Sequence, residues 1–195
     1  MKPEDVIAGL VARGVPLAAA QGIAANLMAE SGLNPGINER NPVVPGSRGG
    51  FGFAQWTGPR RRQYEAFAAQ RGVKLDDPQA QLDFLVWEGQ NTEKSAWNAT
   101  LSAPDATAAA KTFSDQFLRP GVPNMGNRLA LASQYAGLAP GNAGGAAPQP
   151  GNALAPPMFQ YAMVQNDPAA FMRPRNALAL QPFQTERRNM LGSLT

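Results

Sequence analysis

The chain has 195 residues, with 17 Lys and Arg against 14 Asp and Glu, and neither cysteine nor histidine. Without cysteine no disulfide framework, thiol nucleophile or thiolate metal site is possible. Without histidine the Ser-His-Asp and Cys-His arrangements drop out, along with nearly all zinc hydrolase sites. The formal charge of +3 is met by ordinary solubility and does not call for an anionic polymer, so nucleic acid is not an expected partner. The length suits one domain of about 130–150 residues with additional chain. No apolar run approaches the ~20 residues of a membrane span, and the amino terminus lacks a signal-peptide pattern. What remains is chemistry run by carboxylates, hydroxyls, amides, Lys, Arg and Tyr. Glycoside cleavage needs only carboxylates, and neither cofactor nor metal is expected.

Pro3, with Glu4 and Asp5 behind it, opens a first helix, and Pro16 opens a second that Gly32 ends. Residues 33–57 are too rich in Gly, Pro and Asn for a helix. They read as a long loop with a short hairpin, and long loops in compact domains are often functional. Thr57-Gly58-Pro59 starts a third helix with Tyr64, Phe67 and Ala68 on one face. Asp77, as N-cap before Pro78, starts a fourth with Leu82, Leu85 and Val86 at helical spacing. Thr92 with Glu93 begins a short fifth, Ala103-Pro104 a sixth carrying Phe113 and Phe117, and residues 128–135 support a last. The pattern predicts an all-α domain with one irregular lobe.

Composition changes near residue 138. The stretch "LAPGNAGGAAPQPGNALAPP" carries no charge and reads as a Pro/Gly/Ala-rich linker, residues 139–157. Residues 158–195, broken by prolines at 168, 174 and 182, lack the periodicity of a second core. They read as an extended docking tail whose Phe159, Tyr161, Phe171, Met172 and Phe183 fit grooves on another protein; the alternative is a tail without a partner.

The second helix ends in "NLMAESGLNP", with one carboxylate, Glu30, in its last turn. At 100° per residue Glu30 lies within about 20° of Ile23 and about 60° of Leu27, so it points where its apolar neighbours point. Desolvation and the negative end of the helix dipole both raise a carboxyl pKa, as a general acid near neutrality requires. The competing reading is a salt-bridged or edge-of-face glutamate. In the loop, "GGFGFAQWTG" brings glycines together with Gln55 and Trp56. An amide hydrogen-bonds sugar hydroxyl and acetamido groups, and an indole stacks on a ring face. The plainer reading makes the stretch a hairpin with Trp56 as a core plug.

"MAESGLNP" followed by "GGFGFAQW" resembles the Glu-Ser-x-x-Asn-Pro and Gly-x-x-Gly-x-x-Gln signatures of goose-type lysozymes and soluble lytic transglycosylases. The phage tail lysozyme family is closer still. It is similar in the "GFAQWTGPRR" turn, the "QLDFLVWE" helix, the "AAKTFSDQFLRPGVPN" segment and a closing Arg-containing helix, over roughly residues 7 to 137. The resemblance implies a lysozyme-like α+β fold, mostly helical, with one small irregular or β lobe and a groove for peptidoglycan glycan strands. It implies that Glu30 is the catalytic acid, that Ser31 supports that carboxylate and that Gln55 lines the groove beside it. A substrate contact by Trp56 follows from its place next to Gln55. Arg60 to Arg62 either meet muropeptide carboxylates or form a solvated helix start. The insertion "NERNPVVPGSRGG" leaves the shape of the lobe open.

The resemblance points to cleavage of the MurNAc–GlcNAc β-1,4 bond within residues 1–138. A hydrolase adds a second carboxylate, as base at ~6.5–9.5 Å or nucleophile at ~5–5.5 Å. A lytic transglycosylase lets one glutamate act as acid and then base. Glu39, on the lobe, is the candidate second carboxylate; Asp76, Asp77 and Glu88 are the others, with Glu88 either a structural charge or a groove residue. The alternative to an enzyme is a catalytically silent virion protein of the tail or portal that kept the fold. The expected location is the phage particle, after synthesis in the host cytoplasm, with phage tail or portal proteins as partners of residues 158–195. Deleting residues 139–195 is expected to leave wall cleavage intact and abolish incorporation into particles. A truncated chain present in particles at the normal level would overturn the docking reading.

Overall fold

Most of the helix signals of the sequence mark where a helix begins or ends. The structure, a computed structural model, describes residues 1–140 apart from Val43, so the linker beyond residue 140 and the docking tail lie outside the described residues. Seven α-helices are described: α1 (Pro3–Val11), α2 (Leu17–Ser31), α3 (Gly58–Arg71), α4 (Pro78–Asn91), α5 (Lys94–Leu101), α6 (Ala106–Thr112) and α7 (Met125–Tyr135). Gly32, in the left-handed region at φ 60°, ends α2 and donates to the Met28 carbonyl, the usual use of glycine past a helix end. Asp77 caps α4 by accepting from the amides of Gln79 and Ala80 at 2.8 and 2.9 Å. The sixth helix starts later than Ala103-Pro104, because Asp105 accepts the Ala108 amide at 2.8 Å and caps it there. Phe113 and Phe117 fall on the π-helical segment Phe113–Leu118 that continues α6. The last helix begins at Met125 rather than at residue 128. Among the described residues no helix is long and apolar enough to cross a membrane.

The lobe between α2 and α3 is irregular. Its β character is limited to isolated antiparallel bridges, Asn38 with Phe51 and Phe51 with Trp56. The described residues therefore form a mostly helical fold, and the expected β lobe holds no strand among them. Left-handed backbone at Gly46, Gly49, Gly52 and Gln55 turns the chain too often for a ladder to extend. The lobe is held by Gln81, a buried residue of α4. Its Oε1 accepts the Phe53 amide at 2.8 Å, and its Nε2 donates to the carbonyls of Pro35 and Leu75 at 2.7 and 2.9 Å. One amide side chain thus fixes both ends of the lobe to a rigid helix.

At the centre, α2 packs against α1, α6 and α7. It is buried on nearly every side, which explains its run of small residues: Ala19, Ala20, Gly22, Ala24 and Ala25. Gln21 donates to the carbonyls of Ala136 and Leu138, satisfying groups at the end of α7. The closest approach is to α6: a methyl carbon on Gly22 would lie 2.6 Å from both the Ala106 carbonyl oxygen and the Ala110 nitrogen. Backbone cannot yield as a side-chain tip can. Gly22→Ala is expected to cost about 1–3 kcal/mol net, despite the ~1 kcal/mol alanine normally gains over glycine within a helix. A denaturation midpoint equal to or above that of the parent would show that α2 and α6 are farther apart.

Candidate active site

Glu30 sits on the last turn of α2, and Ile23 and Leu27 beside it are fully buried, as the spacing indicates. Its carboxylate does not face an apolar wall alone. Arg128, on α7, donates from Nη2 to Glu30 Oε1 at 2.6 Å and from Nη1 to Asn26 Oδ1 at 2.8 Å. Its Nε donates to the Pro123 carbonyl at 2.5 Å. The Arg128 side chain is 4 % exposed and that of Glu30 17 %. Asn26 lies one turn before Glu30 on the same face, and its Nδ2 bonds the carbonyls of Gly22 and Ala110 at 2.9 Å each. The apolar face of α2 therefore carries a polar seam. One oxygen of Glu30 is held by a guanidinium, and no donor among the described residues reaches the other.

Ser31 is buried, and its hydroxyl donates to the Leu27 carbonyl at 2.8 Å, a back-bond within its own helix. Trp56 is 1 % exposed. Its indole stacks on Tyr64 with ring centres 5.0 Å apart, meets Phe84 edge-on at 5.2 Å and donates Nε1–H to Glu88 at 3.0 Å. Such a ring has no face to offer a sugar and acts as the core plug of the lobe. Gln55 is half-buried in a left-handed conformation, φ 48°, with Nε2 donating to the Gly52 carbonyl at 2.8 Å. Glu39 accepts the Gly50 amide at 2.9 Å through Oε2. A methyl carbon on Gly50 would lie 2.7 Å from Gln55 Oε1, so Glu39 and Gln55 flank the same glycine. The structure brings these two together. Ser31 and Trp56 are turned into the protein.

Most of the arginine cluster at the start of α3 is structural. Arg60 forms a two-pronged pair with buried Glu88, Nε to Oε1 at 2.6 Å and Nη2 to Oε2 at 2.9 Å, and lies over the Phe117 ring. Glu88 is thus a buried structural charge holding α3, α4 and Trp56. Arg61 donates to Glu65 at 3.1 Å and to the carbonyls of Arg48 and Gly49 at 2.7 and 3.0 Å. Burial alone would raise the Glu65 carboxyl, but hydrogen bonds from Arg48 and Arg61 outweigh it and hold the group below the usual carboxylate range. Arg62 remains exposed.

Arg128, Asn26 and Gln81 are the residues that sequence reasoning passed over. A signal existed for Asn26, since two polar residues one turn apart on a buried face require a polar partner there. Nothing in the sequence pairs that face with residue 128. Removing one member of a buried ion pair costs up to ~3–5 kcal/mol; because Glu30 keeps some solvent, the low end applies. Arg128→Met is expected to lower the melting temperature more than Glu30→Gln, whose amide oxygen can still accept from the guanidinium. The reverse order in thermal unfolding would show that Arg128 does not organise the pair.

Residues 3–138 match the family model described as phage tail lysozyme. Over 139 residues the chain is 32% identical to morphogenesis protein 1 of Bacillus phage B103, a match covering 65% of this chain and 36% of that protein. The chain therefore spans little more than a third of that relative's length. With the family model matched from α1 to the end of α7, the chain belongs to the phage tail lysozyme family.

Proposed function

We propose that the chain cleaves the MurNAc–GlcNAc β-1,4 bond of peptidoglycan glycan strands, as a phage enzyme carried on the virion that opens the cell wall during infection. The carboxylate of Glu30 carries this reading: Arg128 holds Oε1 at 2.6 Å, while the other oxygen has no donor among the described residues. A general acid needs both properties, an orientation fixed by the protein and an oxygen left for the substrate, and also a proton, which the carboxylate must take up against the charge of Arg128. In the proposed step that oxygen's proton passes to the glycosidic oxygen as the bond to the sugar carbon breaks. In a lysozyme, water then adds to that carbon, its proton passing to a carboxylate acting as base, and leaves a reducing end. In a lytic transglycosylase the sugar's own C6 hydroxyl adds instead, its proton returns to Glu30, and the product is a 1,6-anhydro sugar. Glu39 and Gln55, on either side of Gly50, are the lobe residues proposed to face the strand. Residues 158–195 are proposed to dock on tail or portal proteins.

A second reading has an observation of its own. The ion pair that orients Glu30 is also what a retained structural glutamate would show, and the B103 relative is named for morphogenesis. On that reading the chain is a catalytically silent particle protein. Digestion of purified peptidoglycan by the full chain, with Glu30→Gln alongside and products read by mass spectrometry, separates the two. Cleavage products lost in the variant are the expected outcome, reducing ends marking a lysozyme and anhydro ends a transglycosylase. No products from the parent on several wall types would establish the silent reading.

A further inference from the structure

A cavity of about 140 Å³ lies between lobe residues 46–49 and the first turn of α3. Its charged lining is cationic, Arg48, Arg61 and Arg62; the only other side chain is that of Ser47, and the rest is glycine. Arg61 is committed to Glu65 and to two carbonyls. Arg48 donates one Nη2 bond to Glu65 at 2.7 Å, and its side chain is 58 % exposed. Arg62 is exposed and has no acceptor among the described residues. Glu65 can neutralise one of the three guanidiniums and Glu39, whose Oε2 would lie 3.2 Å from a methyl carbon on Gly49, a second, which leaves an excess of about one positive charge. Glu39, the other nearby carboxylate, is turned to the Gly50 amide.

The backbone adds to this field. The Thr57 side chain makes no capping bond, so the positive end of α3 is open, and Gly58, its first residue, stands at the cavity wall. Free donors and positive charge therefore converge on a space without a carboxylate in its lining. A water takes about 30 Å³ of liquid volume, so the cavity admits a carboxylate with one or two carbons behind it. Its wall at Gly49 adjoins Gly50, the glycine flanked by Glu39 and Gln55.

We infer that this cavity docks a carboxylate of the peptide stems that peptidoglycan glycan strands carry, with Arg62 and Arg48 as its ligands. The inference rests on the glycan-cleavage reading for its substrate class and extends it from the sugar backbone to the attached peptide. Planar carboxylates suit the fork of donors on a guanidinium. Hydrogen bonds between such charged groups contribute enough for about a tenfold change in affinity, weakened by salt because both arginines are exposed.

The test is co-sedimentation of the full chain carrying Glu30→Gln with insoluble peptidoglycan, and with the same material after an amidase has stripped its peptides and the lactyl carboxylates so exposed have been capped as amides. Arg48→Gln with Arg62→Gln is added in the same background, with melting curves to verify folding, and Arg62→Lys as the charge-conserving control. Peptide-bearing walls are expected to bind about tenfold more tightly than stripped ones. The double variant should lose that difference, and Arg62→Lys should keep most of it. Equal binding by parent and double variant, including no binding by either, would overturn the inference. So would arginine-dependent binding that survives peptide removal and follows a phosphate-rich wall polymer instead. Cleavage is measured separately on the chain with Glu30 intact. Cleavage with arginine-independent binding sinks this inference alone, and arginine- and peptide-dependent binding without cleavage sinks only the glycosidase reading.

Discussion

The guanidinium of Arg128 is the point on which the centre of this protein turns. It is a cation almost entirely removed from water, and such a group is stable only where its donors meet acceptors and its charge meets an opposite one. Two separate parts of the chain supply them: Asn26 and Glu30 from α2, and the Pro123 carbonyl from the turn before α7. That turn is bounded by left-handed backbone at Arg119 and Asn124, an arrangement that non-glycine residues seldom adopt without surrounding contacts to hold it. Arg128 Nε bonds directly into it. The orientation of Glu30 is therefore a property of how α7 lies on α2.

The same logic operates at the far end of the α2–α7 contact, where Gln21 bonds the carbonyls of Ala136 and Leu138 just past α7. Between the two polar anchors α2 carries mostly small side chains, Gly22, Ala24 and Ala25, which would permit sliding if apolar packing acted alone. Hydrogen bonds at both ends set the register. The lobe follows the rule with different residues. Lacking a strand ladder among the described residues, it is fixed through Gln81 and through the Arg60–Glu88–Trp56 cluster. These side chains replace the backbone pairing that would otherwise give an irregular segment its shape.

Placing structural cations this way leaves the protein with two kinds of arginine. Arg60, Arg61 and Arg128 are consumed in holding the scaffold. Arg48 and Arg62 line the lobe cavity, Arg48 with one bond to Glu65 and Arg62 with no acceptor among the described residues. Under the proposed function, the carboxylate held on α2 and the cationic cavity of the lobe meet two parts of one substrate.

Much of the helical frame was legible in the sequence because its signals are local. Pro3, Gly32, Thr57-Gly58-Pro59 and Asp77-Pro78 act through the dihedral angles and free backbone groups of their own turns, and those turns form where the residues stand. The burial of the Ile23–Leu27 face was equally readable from periodicity. What periodicity could not show was which partner that face would meet, since a residue a hundred positions away supplies it, and so the apolar setting expected for Glu30 became an ion pair. Trp56 teaches the same lesson. An indole beside Gln55 suits a sugar by composition, but only the packing of α3 and α4 decided that its ring would be enclosed and its N–H given to Glu88. The sequence by itself determined the helices and their exposed or buried faces. The tertiary structure decided which charges face each other, because pairing depends on distances through space that spacing along the chain does not contain.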